Sequence, residues 1–65
     1  MKEKTVLEKA LEVASLNFEF GVWDTNFGLE FCKKVKDGKI TDATVERHYR
    51  AAHIEKARRE YSLGK

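Results

Sequence analysis

Proline is absent from this chain of 65 residues, which has a single cysteine and only four glycines. Because Cys32 has no second cysteine to pair with, the disulfide-stapled scaffolds of small secreted proteins are excluded. No apolar run approaches the roughly 20 residues of a transmembrane helix, and the start Met-Lys-Glu-Lys does not lead into the apolar core of a signal peptide. We therefore predict a cytoplasmic protein that has no membrane partner.

The short length also limits what the chain can contain. Residues 1–65 are predicted to form a single helical domain, because there is no room for a second one. A domain of this size buries only about 60% of the surface that its unfolded chain exposes. Its core is small, so we expect a partner to complete it and do not expect an enclosed active site.

Three amphipathic segments predict an all-α, three-helix bundle with helices over about 5–20, 24–36 and 42–62, the third being the longest and partly projecting. The first helix begins at Thr5, where Thr5 and Glu8 have the spacing of a capping box. Its apolar residues share one broad arc at helical spacing. They are Val6, Leu7, Ala10, Leu11, Val13, Ala14 and Phe18.

Turn signals separate the first two helices and end the second. Gly21 is placed to end the first helix in a left-handed cap, and an alternating pattern over 18–23 leaves an extended segment as the alternative there. Asp24 or Thr25 caps the second helix, and the pair Asp37-Gly38 ends it. Its apolar stripe has four-residue spacing and consists of Trp23, Phe27, Phe31 and Val35.

The third helix, capped by Thr41 or Asp42 and followed by Gly64, has two apolar stripes on nearly opposite sides. The first stripe is predicted to pack on the other two helices and comprises Val45, Tyr49 and Ala52. The second stripe comprises Ile54, Ala57 and Tyr61. A straight helix cannot direct both stripes at one small core, so we expect the second to contact another protein or a second copy. A solvated tail is the alternative.

Charge is unevenly distributed along the chain. Residues 1–31 have three lysines and six acids, for a net charge of −3, whereas residues 32–65 have ten basic side chains and five acids, for a net charge of +5. A basic half indicates a polyanionic partner, unless the two halves neutralise each other by packing together. The candidate nucleic-acid-binding residues are Lys33, Lys34, Lys36, Lys39, Arg47, Arg50, Lys56 and Arg59.

A three-helix domain with a basic third helix has the outline of a helix-turn-helix protein, so DNA is the alternative partner. Acids interspersed among the arginines weaken this hypothesis. The pairs Glu46–Arg50 and Glu55–Arg59 have the four-residue spacing at which charges pair within one helix.

Metal, cofactor and catalytic sites are not predicted. His48 and His53 are five residues apart on one helix, about 140° from each other, so they cannot chelate one metal together. Cys32 lies beside the aromatic stripe and is interpreted as a small core residue. Glu8 and Glu12 are placed on the solvent face of the first helix, where we expect them to titrate normally. No small-molecule substrate and no enzymatic activity are expected.

Residues 40–52, Ile-Thr-Asp-Ala-Thr-Val-Glu-Arg-His-Tyr-Arg-Ala-Ala, resemble the start of the last helix in the Hha/YmoA family of small gene-expression modulators. The shared features are an apolar residue before Thr-Asp, an apolar residue three after Asp42, a tyrosine four later, and Ala-Ala. The resemblance implies an all-helical transcription co-regulator that binds the nucleoid-structuring protein H-NS. The chain departs from the family at His53, where the family has an acid of its partner-binding surface.

We conclude from the sequence that the chain is a small, non-enzymatic regulatory or adaptor protein that acts through protein contacts of its third helix. It would be a transcription co-regulator, or a modulator of a host protein encoded by a phage or mobile element. The partner-binding residues are predicted to be Ile54, Ala57, Tyr61, Arg47, Arg50 and Arg58. The alternative is a dimeric helix-turn-helix-like DNA-binding protein.

Overall fold

A computed structural model describes residues 4–63 of the chain. Three helices follow one another: α1 (Val6–Glu19), α2 (Thr25–Lys36) and α3 (Asp42–Leu63). No strand occurs within residues 4–63. The predicted all-α, three-helix bundle is confirmed, and α3 is the longest helix at 22 residues.

The capping box predicted at the start of α1 is present. The Thr5 hydroxyl oxygen accepts from the Glu8 backbone N–H at 3.2 Å, and the Glu8 carboxylate accepts from the Thr5 backbone N–H at 2.8 Å. Phe20 is the C-terminal cap of the helix, and Gly21 follows with a φ of +78°, in the left-handed region that glycine adopts without strain because it has no Cβ atom.

The extended alternative for residues 18–23 is wrong. Phe18 and Glu19 are helical, and the chain then turns. The backbone N–H groups of Val22 and Trp23 both donate to the Asn17 carbonyl oxygen, at 2.9 and 3.1 Å. These bonds satisfy the Asn17 carbonyl in the last turn of α1 and fold the chain into a turn, so the alternating pattern here does not produce a strand.

Short-range caps also define the other two helices. Asp24, and not Thr25, caps α2, because its carboxylate accepts from the Phe27 N–H at 2.7 Å. Asp37 is the C-terminal cap of the helix, and Gly38 follows with a φ of +79°. Thr41 precedes α3 and its hydroxyl accepts from the Thr44 N–H at 3.2 Å. The glycine predicted to follow α3, at position 64, lies outside the described residues.

Helix α1 packs on both of the other helices. The buried apolar residues come from all three: Ala10, Val13, Leu16, Phe31, Val45 and Ala52. The first stripe of α3 therefore packs against the core as predicted, with Tyr49 half-buried beside it. The two helices approach each other closely at Ala14 and Gly28, where a Cβ atom on Gly28 would lie 3.2 Å from the Ala14 Cβ.

The predicted apolar arc of α1 is only partly buried. Val13 and Ala10 are buried, but Leu7, Leu11 and Phe18 are exposed. Their part of the arc lies about 120° to 160° around the helix from Val13, beyond the surface that α2 and α3 cover. Leu16, which the predicted arc omitted, is buried instead.

Candidate protein interaction surface

One exposed face of α3 lies opposite the buried residues Val45 and Ala52. We call it the α3 outer face; at 100° per residue it comprises Ala43, Arg47, Arg50, Ile54, Ala57, Arg58 and Tyr61. All seven side chains are exposed. Ile54 keeps 50% and Tyr61 keeps 70% of its surface accessible. The structure thus brings together the predicted partner-binding residues.

The end of α3 extends beyond the packed part of the bundle. Over residues 42–62 of the helix, Ala52 is the last buried residue, and all residues from Lys56 to Ser62 are exposed. The helix nevertheless continues to Leu63, so the outer face stays continuous through Tyr61. The predicted partial projection of the third helix is present.

Three arginines border the apolar side chains of this face. Within the described part of the chain, Arg47, Arg50 and Arg58 have no ion-pair partner. Arg47 and Arg50 line a shallow depression with Ile54 and the small side chains of Ala43 and Ala51. The guanidinium groups are therefore available to carboxylates or phosphates of another molecule.

Other basic residues of α3 are already engaged. The Arg59 Nε donates to the Glu55 carboxylate at 2.9 Å, which confirms the predicted pair, and its guanidinium lies 4.6 Å from the centre of the Phe20 ring. The predicted pair of Glu46 with Arg50 is wrong, because Glu46 pairs with Lys9 of α1. Arg59 is thus held against the turn after α1 and is a weaker candidate for nucleic-acid contact than Arg47.

The predicted lysine cluster surrounds the end of α2, where it is exposed. Three of its members, Lys33, Lys34 and Lys36, occupy the last turn, and Lys39 follows in the connection to α3. Cations at this end of a helix complement its dipole, so their position has a structural reason as well as a functional one.

Both histidines of α3 pack against aromatic rings. The His48 ring meets Trp23 and Phe31 edge-on, with centroids 5.9 and 5.4 Å apart. The His53 ring lies 4.5 Å from that of Tyr49. No group of three potential metal ligands occurs within residues 4–63. Cys32 is half-buried beside the core, and this burial raises the pKa of its thiol, which disfavours the reactive thiolate.

Glu12 does not titrate normally, contrary to prediction. Its carboxylate accepts from Lys4 Nζ at 2.6 Å and from His53 Nε2 at 2.7 Å. These hydrogen bonds, the one from Lys4 first, lower the pKa of Glu12 from 4.5 to about 2. The pKa of Glu8 is also lowered, chiefly because its carboxylate accepts from the backbone of Thr5.

A second apolar surface lies between α1 and α2, and the sequence prediction missed it. We call it the α1–α2 groove; its walls include Leu11 and Phe18 on α1 and Leu29 and Cys32 on α2. Leu11, Phe18 and Leu29 expose 54%, 58% and 64% of their surfaces. The signal was present as a second stripe on α2, where Leu29 and Cys32 are three residues apart, about 100° or more from Phe31.

The described residues define a three-helix bundle with two exposed apolar surfaces, one of them bordered by arginines. Comparisons of the chain with protein-family models, with curated proteins and with solved structures find no match in any of the three. Between residues 4 and 63, no helix combines the length and apolar character needed to cross a membrane. The resemblance of residues 40–52 to the Hha/YmoA family stays a prediction.

Proposed function

We propose that the protein is a non-enzymatic adaptor or regulator that binds another protein through the α3 outer face. One observation carries the proposal: Ile54 and Tyr61 are exposed on the side of α3 that faces away from the core. Neither is needed to fill the core, which Val45 and Ala52 complete on the opposite side of the helix.

The chemistry of this face indicates the kind of partner. Tyrosine and arginine are enriched in protein interfaces, and energetic hot spots concentrate on these two residue types. Ile54 supplies an apolar contact between Arg50 and Arg58, which lie on either side of it. A matching partner has an apolar pocket for Ile54 and Tyr61 and carboxylates at its rim for the arginines.

The regulatory part of the proposal rests on the resemblance of residues 40–52, which implies a transcription co-regulator with a nucleoid-structuring protein as its partner. A modulator of a host protein encoded by a phage or mobile element would use the same surface. Both are consistent with a small helical protein that presents one exposed helix face.

DNA remains the second candidate, favoured by the unpaired arginines Arg47 and Arg50 on an exposed helix. Phosphate contacts would come from these residues and from the lysines at the end of α2. The engagement of Arg59 by Glu55 and Phe20 reduces the number of basic side chains that α3 offers. We therefore place protein binding first.

Affinity purification of the tagged full chain tests the protein partner. A specific partner should be recovered with the wild-type chain and lost with Tyr61→Asp, which introduces a charge at the C-terminal end of the outer face. The matched control is Asn26→Asp, which adds the same charge at an exposed position near the start of α2. Recovery that is equal for both variants would show that the outer face does not bind the partner.

A fluorescence anisotropy titration with random duplex DNA tests the alternative. DNA binding would fall steeply as salt is raised and would weaken further in the double variant Arg47→Ala/Arg50→Ala. If the wild-type chain binds duplex DNA in this way while Tyr61→Asp leaves partner recovery unchanged, the DNA function replaces the protein-binding one.

A further inference from the structure

We propose that two copies of this chain associate through their α1–α2 grooves to form a symmetric four-helix bundle. The groove is distinct from the α3 outer face, and this inference does not depend on the function proposed above. A dimer of this kind would leave both outer faces of α3 exposed, so that it would present two partner-binding surfaces.

The groove has the apolar character of an interface. Leu7, Leu11 and Phe18 form a stripe along α1, and Leu29 stands on the other wall. All four are exposed, although a chain of this length has few large apolar residues and needs them for its core. Contiguous apolar side chains of this kind mark interaction sites more often than isolated ones do.

The floor of the groove is made of small residues. Gly28 and Ala14 lie where the two helices approach closely, and the space that opens above them is about 310 Å³. Leu11 and Leu29 rise on either side of this floor. Projecting leucines beside a hollow are the elements from which helices pack knobs into holes, and a second copy supplies the same elements.

Charge complementarity identifies the occupant as a second copy. At 100° per residue, Glu8 lies just outside the apolar stripe of α1, and Lys33 and Lys36 flank Leu29 on α2. Within a single chain, the α1 rim at this end thus has the carboxylate of Glu8, which also caps α1, and nearby Lys4 is held by Glu12, whereas the α2 rim has two lysines. The side chains of Glu8, Lys33 and Lys36 are exposed.

Symmetry brings the opposite rims together. Helices α1 and α2 are antiparallel, since a short turn joins them and Ala14 lies level with Gly28, so that Glu8 and Lys36 are at the same end of the groove. A two-fold axis along the groove places α1 of each copy opposite α2 of the other. Glu8 of each copy then faces Lys33 and Lys36 of the other, and the assembly closes after two subunits.

The α3 outer face fits the groove less well. If it docked there, Arg47, Arg50 and Arg58 would approach the rim that carries Lys33 and Lys36, and like charges would face each other. Such a contact would also join two different surfaces, which produces chains or rings and not a closed dimer. The second copy's own groove is the better complement.

Sedimentation velocity of the full chain between about 1 and 200 µM tests the dimer. We expect reversible association of the wild-type chain, and a loss of affinity of about tenfold or more in Leu29→Glu, because a charge would enter the apolar interface. Leu11→Glu on the facing helix provides a second variant if Leu29→Glu does not fold. Circular dichroism checks the helical fold of each variant, and Asn26→Glu is the matched control for added charge.

Tyr61→Asp distinguishes the groove from the α3 outer face. A dimer that persists in Tyr61→Asp and is lost in Leu29→Glu supports the proposal. A monomeric wild-type chain at 200 µM overturns it, as does a dimer that survives both groove substitutions. Loss of the dimer in Tyr61→Asp also overturns it, because the interface would then include α3.

Discussion

His53 on α3 donates from Nε2 to the carboxylate of Glu12 on α1, across a distance of 2.7 Å. The bond joins residues that are 41 positions apart in the chain. It is made next to Ala52, the last buried residue of α3, and thus ties that helix to the bundle near the point where it begins to project. Lys4, which precedes α1, donates to the other carboxylate oxygen of Glu12, so that this carboxylate binds both the start of the chain and α3.

Glu12→Gln is expected to lower stability in a pH-dependent way. The folded state lowers the pKa of Glu12 from 4.5 to about 2, so its charged form contributes stability above pH 4.5. This contribution declines as the pH falls from about 4.5 to 2, where the carboxylate of the folded protein takes up its proton. At pH 7 we expect a loss of about 1 kcal/mol, because the carboxylate is partly exposed to solvent.

Urea titrations at pH 7, 5, 4 and 3 measure this effect through the fluorescence of Trp23, the only tryptophan. The difference in the free energy of unfolding between the wild-type chain and Glu12→Gln should shrink as the pH is lowered from 5 to 4 to 3. Glu30→Gln, at an exposed position of α2, should match the wild-type chain throughout. A pH-independent difference for Glu12→Gln would contradict the lowered pKa.

Two valines provide a matched test of the core. Val13 is fully buried between the helices, whereas Val22 in the turn exposes 63% of its surface. Val13→Ala should reduce the free energy of unfolding by about 2 kcal/mol, because it removes buried methyl groups and leaves a cavity. Val22→Ala should change it by less than about 0.5 kcal/mol. Urea denaturation at one protein concentration measures the free energy of unfolding of both variants. Equal losses would show that Val13 does not belong to the core.

Local signals explain how much of this fold could be predicted from the sequence. The capping residues Thr5 and Asp24 and the glycines at positions 21 and 38 act on the few residues around them, so the helix boundaries follow from the sequence directly. The pair Glu55–Arg59 was predictable for the same reason, because both residues lie on one helix four positions apart.

Interactions between helices were not predictable in this way. Glu12 and Glu46 are held by residues of other segments, and their helical spacing alone does not indicate a partner. The α1–α2 groove was missed because periodicity shows that Leu7, Leu11 and Phe18 share an apolar arc but not how much of it two neighbours can cover. The α3 outer face could be predicted because α3 has two apolar stripes on nearly opposite sides, and only one of them can face the core.

The close approach of α1 and α2 at Gly28 and Ala14 predicts the effect of a large side chain at Gly28. Even a Cβ atom there would lie 3.2 Å from the Ala14 Cβ, closer than ordinary van der Waals contact. Gly28→Leu gains about 1 kcal/mol in helix propensity but forces the two helices apart, and such overpacking costs about 1 to 3 kcal/mol. Because leucine adds a whole side chain, we expect the cost to lie in the upper half of this range, at about 2 to 3 kcal/mol, which gives a net loss of about 1 to 2 kcal/mol in unfolding experiments.

Asn26→Leu is the control for this substitution. It places the same side chain on an exposed position of α2, where helix propensity favours leucine and no neighbouring helix is displaced. Its thermal unfolding midpoint should stay at or above that of the wild-type chain. If Gly28→Leu is equally stable, the helices do not approach each other as closely at Ala14 as the structure shows.

Aspartate substitutions two residues apart on α3 separate the core from the outer face. Ala52 is buried against α1, whereas Ile54 is half-exposed on the opposite side of the helix. Ala52→Asp would bury an unpaired carboxylate, which should cost about 3 kcal/mol or more and unfold much of the small domain. Ile54→Asp should cost about 1 kcal/mol or less, because its carboxylate remains in solvent. Circular dichroism melts at pH 7 measure both, and a folded Ala52→Asp with an unfolded Ile54→Asp would reverse the assignment of the two faces of α3.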